Sequence, residues 1–150
     1  MLITVFALVA MLGSHPDAPF GQPYRTDVPP TLAPCANLGA AGEEYLSTLR
    51  DIVSDTSDYG VEHRAAGELP LVADTNTVQI VTDAATCTRA LAAARELLLP
   101  EAQASVTAVF VMRVGSTRFV VWNLRRRPGQ SRLFDVFDAN FRHIVGLTGW

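Results

Sequence analysis

The 150-residue chain contains no lysine, two cysteines and three histidines, and only 8% of its residues are aromatic. All 12 basic residues are therefore arginines, and against 15 Asp and Glu they give a formal net charge of −3. A general nucleic-acid-binding protein normally carries a positive excess, so this balance argues against one. Arginine without lysine is typical of GC-rich coding and indicates a bacterial origin.

Motifs for metal, phosphate and dinucleotide binding are also missing. The sequence has no HExxH motif and no CxxC pair, although a transition-metal site needs three or four convergent ligands. It also lacks the GxxxxGKS/T and GxGxxG patterns, which hold phosphates at a helix N-terminus. We therefore expect no metal and no cofactor.

Prolines are concentrated near the N-terminus. They follow an apolar run over 2–12 (LITVFALVAML), which has the length of a secretory signal core and is too short to span a bilayer. The alternative interpretation of the run over 2–12 is an apolar strand or helix packed in the core. The Pro-rich stretch is typical of an extended linker. The sequence predicts a signal-peptide-like segment over 1–13, a linker over 14–34 and one domain over 35–150, in a secreted or periplasmic protein with no membrane span in its mature chain.

The two cysteines, Cys35 and Cys87, allow one intramolecular disulfide. In an exported protein, a small even number of cysteines indicates a disulfide framework. This bridge would close a loop of about 52 residues and stabilise the fold by roughly 4 kcal/mol on the chain-entropy model. The alternative is a reactive Cys87 thiol near a helix N-terminus, where the helix dipole favours the thiolate.

Hydrophobic periodicity predicts two helices. Apolar residues recur at helical spacing over 37–53 and again over 84–99, and Thr82 or Asp83 is the expected N-cap of the second helix. The polar cluster over 54–60 between them is expected to be a loop.

Alternation of β-branched and polar residues predicts strands in the remaining chain. They cover 77–81, 105–114, 117–124, 132–138 and 143–147. The last four are separated by turn-forming residues and form an antiparallel meander. Because the run over 105–114 is apolar on one face and partly apolar on the other, we expect apolar contacts on both faces. The predicted fold is α+β, with two helices packed on an antiparallel sheet of about four to five strands.

Charge is unevenly divided along this domain. Residues 35–102 carry 11 acidic residues and 4 arginines, whereas residues 103–150 carry 2 acidic residues and 7 arginines. This pattern is explained either by attraction between the helical and sheet layers or by a basic sheet surface that receives an acidic partner.

A basic loop follows the second strand of the meander. Arg125, Arg126 and Arg127 precede a Pro-Gly turn, with Trp122 before the loop and Arg132 after it. Arginine side chains bind phosphate and carboxylate groups, and an aromatic ring can stack on a ligand. These five residues form a candidate surface for an anionic ligand or a protein partner. The alternative is an ordinary solvated hairpin turn.

Candidate catalytic residues are few. The best arrangement combines Cys87 or Ser116 with His143 and Asp138, but no spacing brings these residues together. Ser116 and Asp138 are explained as turn residues, and Asp135 is expected to face solvent from its strand. The sequence therefore predicts no catalytic residues.

These observations favour an exported, disulfide-linked module that binds a partner or has a structural role, rather than an enzyme. One alternative is a small thiol enzyme or hydrolase that uses Cys87 with His143. Another is a polyanion-binding module that uses the Arg125–Arg127 loop.

Overall fold

The structure is a computed structural model and describes residues 34–124 and 133–148. The signal-peptide-like segment predicted over 1–13 lies outside these residues, as does all of the predicted linker over 14–34 except Pro34. The candidate binding residues of the basic loop, Arg125–Arg127 and Arg132, also lie outside the described residues.

The described chain is an α+β structure with a five-stranded antiparallel sheet. Its helices are α1 (Ala40–Ser54), α2 (Asp58–Gly67), α3 (Ala84–Glu96) and α4 (Pro100–Gln103). Its strands are β1 (Val78–Ile80), β2 (Phe110–Val114), β3 (Arg118–Trp122), β4 (Leu133–Asp138) and β5 (His143–Thr148). A short 3₁₀ helix over Thr75–Thr77 precedes β1. The strand order β1-β2-β3-β4-β5 confirms the predicted fold class and the C-terminal meander.

Different helices cover the two faces of the sheet. On one face, α1 contributes Tyr45, Leu46, Leu49 and Val53 to a core shared with Phe110, Met112, Val120, Trp122, Phe134 and Val136. On the other, α3 contributes Cys87, Ala90, Ala93 and Ala94 to a core shared with Val109, Val111, Val121 and Phe137. Successive strand residues point to opposite faces, so the apolar run along β2 contributes to both cores. The alanines of α3 have small side chains, which allow the helix to approach the sheet closely.

Helix α2 begins within the polar cluster that was expected to be a loop. The Ser57 hydroxyl accepts a hydrogen bond from the Gly60 N–H at 3.4 Å, and Asp58 supplies a negative charge in the first turn. Both features stabilise a helix N-terminus, so the cluster acts as a helix start. The buried Arg64 then donates hydrogen bonds to the carbonyls of Ile52 and Asp55 and so ties α2 to the end of α1.

Helix α3 begins as predicted and ends earlier than predicted. The Asp83 carboxylate accepts a hydrogen bond from the Thr86 N–H at 2.9 Å, which identifies Asp83 as the N-cap. The helix ends at Glu96 rather than Leu99. Pro100 starts the separate short helix α4, where a missing N–H costs nothing because the first N–H groups of a helix have no partner within it.

Candidate functional site

Cys35 and Cys87 form the predicted disulfide, with a sulfur–sulfur distance of 1.99 Å and Cα atoms 5.2 Å apart. Cys35 lies in a segment that pairs with Val109, the residue directly before β2. The Ala36 N–H donates to the Val109 carbonyl at 2.7 Å, and the Val109 N–H donates to the Pro34 carbonyl at 2.8 Å. Cys87 lies in the first turns of α3 and is only 1% exposed. The bond therefore ties the first described residues of the chain to α3.

The disulfide removes the nucleophile from the thiol-enzyme alternative. Because both sulfur atoms are bonded to each other, Cys87 has no thiolate to pair with His143. The imidazole of His143 instead contacts Asp135 rather than Asp138, the carboxylate of the candidate arrangement. Ser116 is exposed in the turn between β2 and β3. The candidate catalytic arrangement of Cys87 or Ser116 with His143 and Asp138 is therefore not assembled.

Asp135 is buried, which corrects the expectation that it faces solvent. It is 5% exposed, and its Oδ1 lies 2.9 Å from Nε2 of His143, whose side chain is 35% exposed. The expectation was wrong because the strand face opposite Phe134 and Val136 is buried as well: Asp135 pairs with Val121, which belongs to the core on the α3 side. Burial raises the pKa of the Asp135 carboxyl, and the hydrogen bond and charge of His143 act in the opposite direction. The pair resembles the acid–base half of a catalytic site, but the candidate nucleophiles Cys87 and Ser116 do not join it.

Trp122 lies in the core rather than on an exposed contact surface. It is 4% exposed, and its ring packs against Tyr45 and Phe134 with centroid distances of 5.8 and 5.9 Å. Its position on β3 places it on the face covered by α1, a helix that the sequence predicted without indicating which strand residues it covers. The arginines predicted to share its surface are outside the described residues and stay a prediction.

A cleft of about 480 Å³ opens beside the disulfide. On one side it is lined by the segment 34–39 and the first turn of α1, and on the other by the end of β1 and the start of α3. Its lining is mainly apolar and includes both cysteines, Leu38, Ile80 and Phe110. Glu43, in the first turn of α1, is the charged residue among the described residues that line it. We call this site the disulfide cleft.

The disulfide cleft lies where two chain segments separate from the same edge of the sheet. The segment after Cys35 leaves the β2 edge toward α1, and the chain after β1 leaves the same edge toward α3. Gly39 makes the first departure possible, because its φ of 54° is a left-handed conformation that favours glycine. Since these segments are about 45 residues apart in sequence, no local pattern could have predicted that they meet.

A second cavity, of about 490 Å³, lies between α1 and α2. It is lined mostly by exposed or half-buried side chains, including Asp51, Asp55, Tyr59 and His63. The rings of Tyr59 and His63 pack together with centroids 3.9 Å apart. Because six buried residues and a covalent cross-link take part in lining the disulfide cleft, whereas Ile52 is the one buried residue in the lining of this second cavity, the disulfide cleft is the stronger candidate for a defined binding site.

No protein-family model, curated protein or solved structure matches this chain. Within residues 34–124 and 133–148, no group of three or more His, Cys, Asp or Glu side chains could hold a metal ion. In the same residues, no helix has the length and apolar character needed to cross a membrane.

Proposed function

We propose that this protein is an exported, non-catalytic binding module and that the disulfide cleft is its ligand site. The observation that carries the proposal is the volume and lining of the cleft. At about 480 Å³ it falls within the range of small-ligand and side-chain sites, and such sites are mostly apolar with a few polar groups. An apolar ligand group in this cleft would lose contact with water, which is the main source of favourable free energy for such ligands.

Export is supported by the disulfide together with the predicted signal-peptide-like segment over 1–13. Disulfides persist in oxidising compartments and are rare in a bacterial cytoplasm. Binding without catalysis is supported by the loss of the Cys87 thiol to the bridge, which leaves the His143–Asp135 pair without that nucleophile.

The ligand site can be tested with the neutral apolar dye Nile red, whose emission shifts to the blue in an apolar site. Ala84 and Ala85 are both exposed in the first turn of α3, but Ala84 lines the cleft and Ala85 does not. We expect Ala84→Leu to fill the cleft and weaken dye binding by about tenfold or more, a loss of about 1.4 kcal/mol. Ala85→Leu is the matched control and should bind as the wild type does. Equal binding by both variants would place the dye elsewhere and contradict the proposed site.

Export can be tested separately with a reporter enzyme that is active only outside the cytoplasm. Residues 1–34 fused to the reporter should give activity, and a matched fusion carrying residues 14–34 should not. An inactive 1–34 fusion would contradict export of this protein by its N-terminal segment.

A further inference from the structure

Among the described residues, part of the main chain of strand β1 has no hydrogen-bond partner at the disulfide cleft. It is an edge strand that pairs on one side with β2. The Val81 N–H donates to the Val111 carbonyl at 2.9 Å, and the Gly115 N–H donates to the Thr77 carbonyl at 3.1 Å. Main-chain groups alternate in direction along an extended chain. Since the Val81 N–H points toward β2, the main-chain groups of its neighbours Ile80 and Thr82 point away from β2.

No hydrogen bond to the main chain of Ile80 or Thr82 occurs on this outer side within the described residues. Both residues also line the cleft. The edge therefore offers N–H and carbonyl groups at a two-residue spacing, next to an apolar cleft.

The free part of the edge is short because α1 covers its beginning. The Arg50 guanidinium donates to the Val78 carbonyl at 2.9 Å through Nη2 and to the Thr75 carbonyl at 3.2 Å through Nε. Val78 is thus already bonded on its outer side, and the open edge begins at Ile80. A partner strand of about three residues would match this edge, since strands rise about 3.3 Å per residue.

The cleft can take a side chain from such a partner. In an extended peptide, residues i and i+2 point to the same side, so alternate side chains of the partner would face the cleft. Leu38, Phe110 and the disulfide provide the apolar surface for one of them. Main-chain pairing combined with a side-chain pocket is a common mode of peptide recognition.

The charges at the cleft favour a basic partner. Glu43 lines the cleft and is exposed, and Asp83 follows directly after Thr82. The hydrogen bonds from Thr86 hold the pKa of the Asp83 carboxyl below its ordinary value, so this carboxylate is charged at neutral pH. Arg113 of β2 is the basic side chain whose charge acts on Asp83. Asp83 does not itself line the cleft and has Arg113 as a nearby opposite charge. The negative charge in the lining of the cleft therefore comes from Glu43.

We propose that the disulfide cleft binds an extended peptide segment, which pairs with Ile80 and Thr82 at the β1 edge. An apolar side chain of the peptide enters the cleft, and a basic side chain two residues away lies near Glu43. This inference rests on the proposed function, because it names the class of ligand for the same site.

The test uses fluorescence anisotropy of a fluorescein-labelled peptide, Gly-Arg-Ser-Val-Ser-Gly, in which Arg and Val share one face. A second peptide has Glu in place of Arg. We expect the wild-type protein to bind the Arg peptide about tenfold more tightly than the Glu peptide. Glu43→Gln should remove most of this preference. An equal affinity for both peptides would contradict the proposed role of Glu43.

The main-chain pairing is tested with two variants of Thr82, which is exposed. Thr82→Pro removes the outward N–H, whereas Thr82→Ala removes the side chain and keeps the N–H. We expect the proline variant to bind the Arg peptide about tenfold more weakly than the alanine variant, with both unfolding cooperatively in urea. Equal peptide affinity of the two folded variants would overturn the pairing.

The two proposals fail in different ways. If Nile red binds and Ala84→Leu prevents it, but neither peptide binds or displaces the dye, the peptide inference is wrong and the proposed apolar site stands. If neither Nile red nor the peptides bind the wild-type protein, the proposed function itself is wrong.

Discussion

Removal of the disulfide should cost this protein a large part of its stability. We consider the double variant Cys35→Ala and Cys87→Ala, in which alanine avoids placing a hydroxyl at the buried position 87. The cross-linked residues are separated by 52 positions in the sequence. For a loop of this length, the chain-entropy relation gives a stabilisation of about 4 kcal/mol at 25 °C. Small domains often have total stabilities of only about 5–15 kcal/mol.

The loss of local contacts around both cysteines should lower the free energy of unfolding further. The segment around Cys35 is held to β2 by the hydrogen bonds between Ala36, Val109 and Pro34. Without the cross-link, this segment can separate from the sheet, and each exposed hydrogen bond is worth about 1 kcal/mol. Deletion of the two sulfur atoms also leaves a small cavity at position 87, which adds to the loss. We therefore expect a total of at least about 4 kcal/mol.

The assay is equilibrium unfolding in urea, followed by circular dichroism and Trp fluorescence. The double variant should unfold at a lower urea midpoint and with a larger m-value, because its unfolded chain is no longer held compact by the cross-link. Wild-type protein treated with a phosphine reductant is the control and should resemble the double variant. A loss below about 1 kcal/mol would refute the reasoning from loop entropy. Free thiols in the unfolded, unreduced wild type would refute the bond itself.

Two further predictions concern buried polar groups. Because burial raises the pKa of Asp135 above its ordinary value of 3.8, the folded protein holds this proton where the unfolded chain has lost it. The stabilisation that comes from protonated Asp135 is therefore complete below pH 3.8, and it is lost as the pH rises through the raised pKa of the folded state. In urea unfolding from below pH 3.8 upward, the free energy of unfolding of the wild type should fall relative to that of Asp135→Asn. A stability difference between the two proteins that does not change with pH would contradict the raised pKa of Asp135. Arg64→Met should leave the carbonyls of Ile52 and Asp55 without their donor and cost about 2–4 kcal/mol. Arg113→Met, at an exposed position, should change the free energy of unfolding by less than about 0.5 kcal/mol, and a similar effect of both variants would contradict the role of Arg64.

The regular elements were largely predictable because their signals are local. The amphipathic spacing before Ser54 predicts α1, and the β-branched alternation after Thr77 predicts β1 and the meander. The N-cap at Asp83 follows from side-chain chemistry within one turn. Even the disulfide follows from the cysteine count once export is assumed.

Long-range features were predicted less well. Asp135 and Trp122 point to opposite faces of the sheet, and each was expected to be exposed because no local pattern shows which element covers a face. The polar residues before Gly60 fit a loop as well as they fit a helix start. The disulfide cleft forms where the segment after Cys35 meets the end of β1, so it depends on tertiary structure alone.

The Cys35–Cys87 bond has a consequence for affinity as well as for stability. Cys35 belongs to one side of the disulfide cleft and Cys87 to the other, so a covalent link holds the spacing between the sides. A ligand then meets a preorganised site and loses less conformational entropy on association than it would with a mobile one. Reductive conditions would widen the ensemble of cleft conformations and weaken binding even where the sheet remains folded.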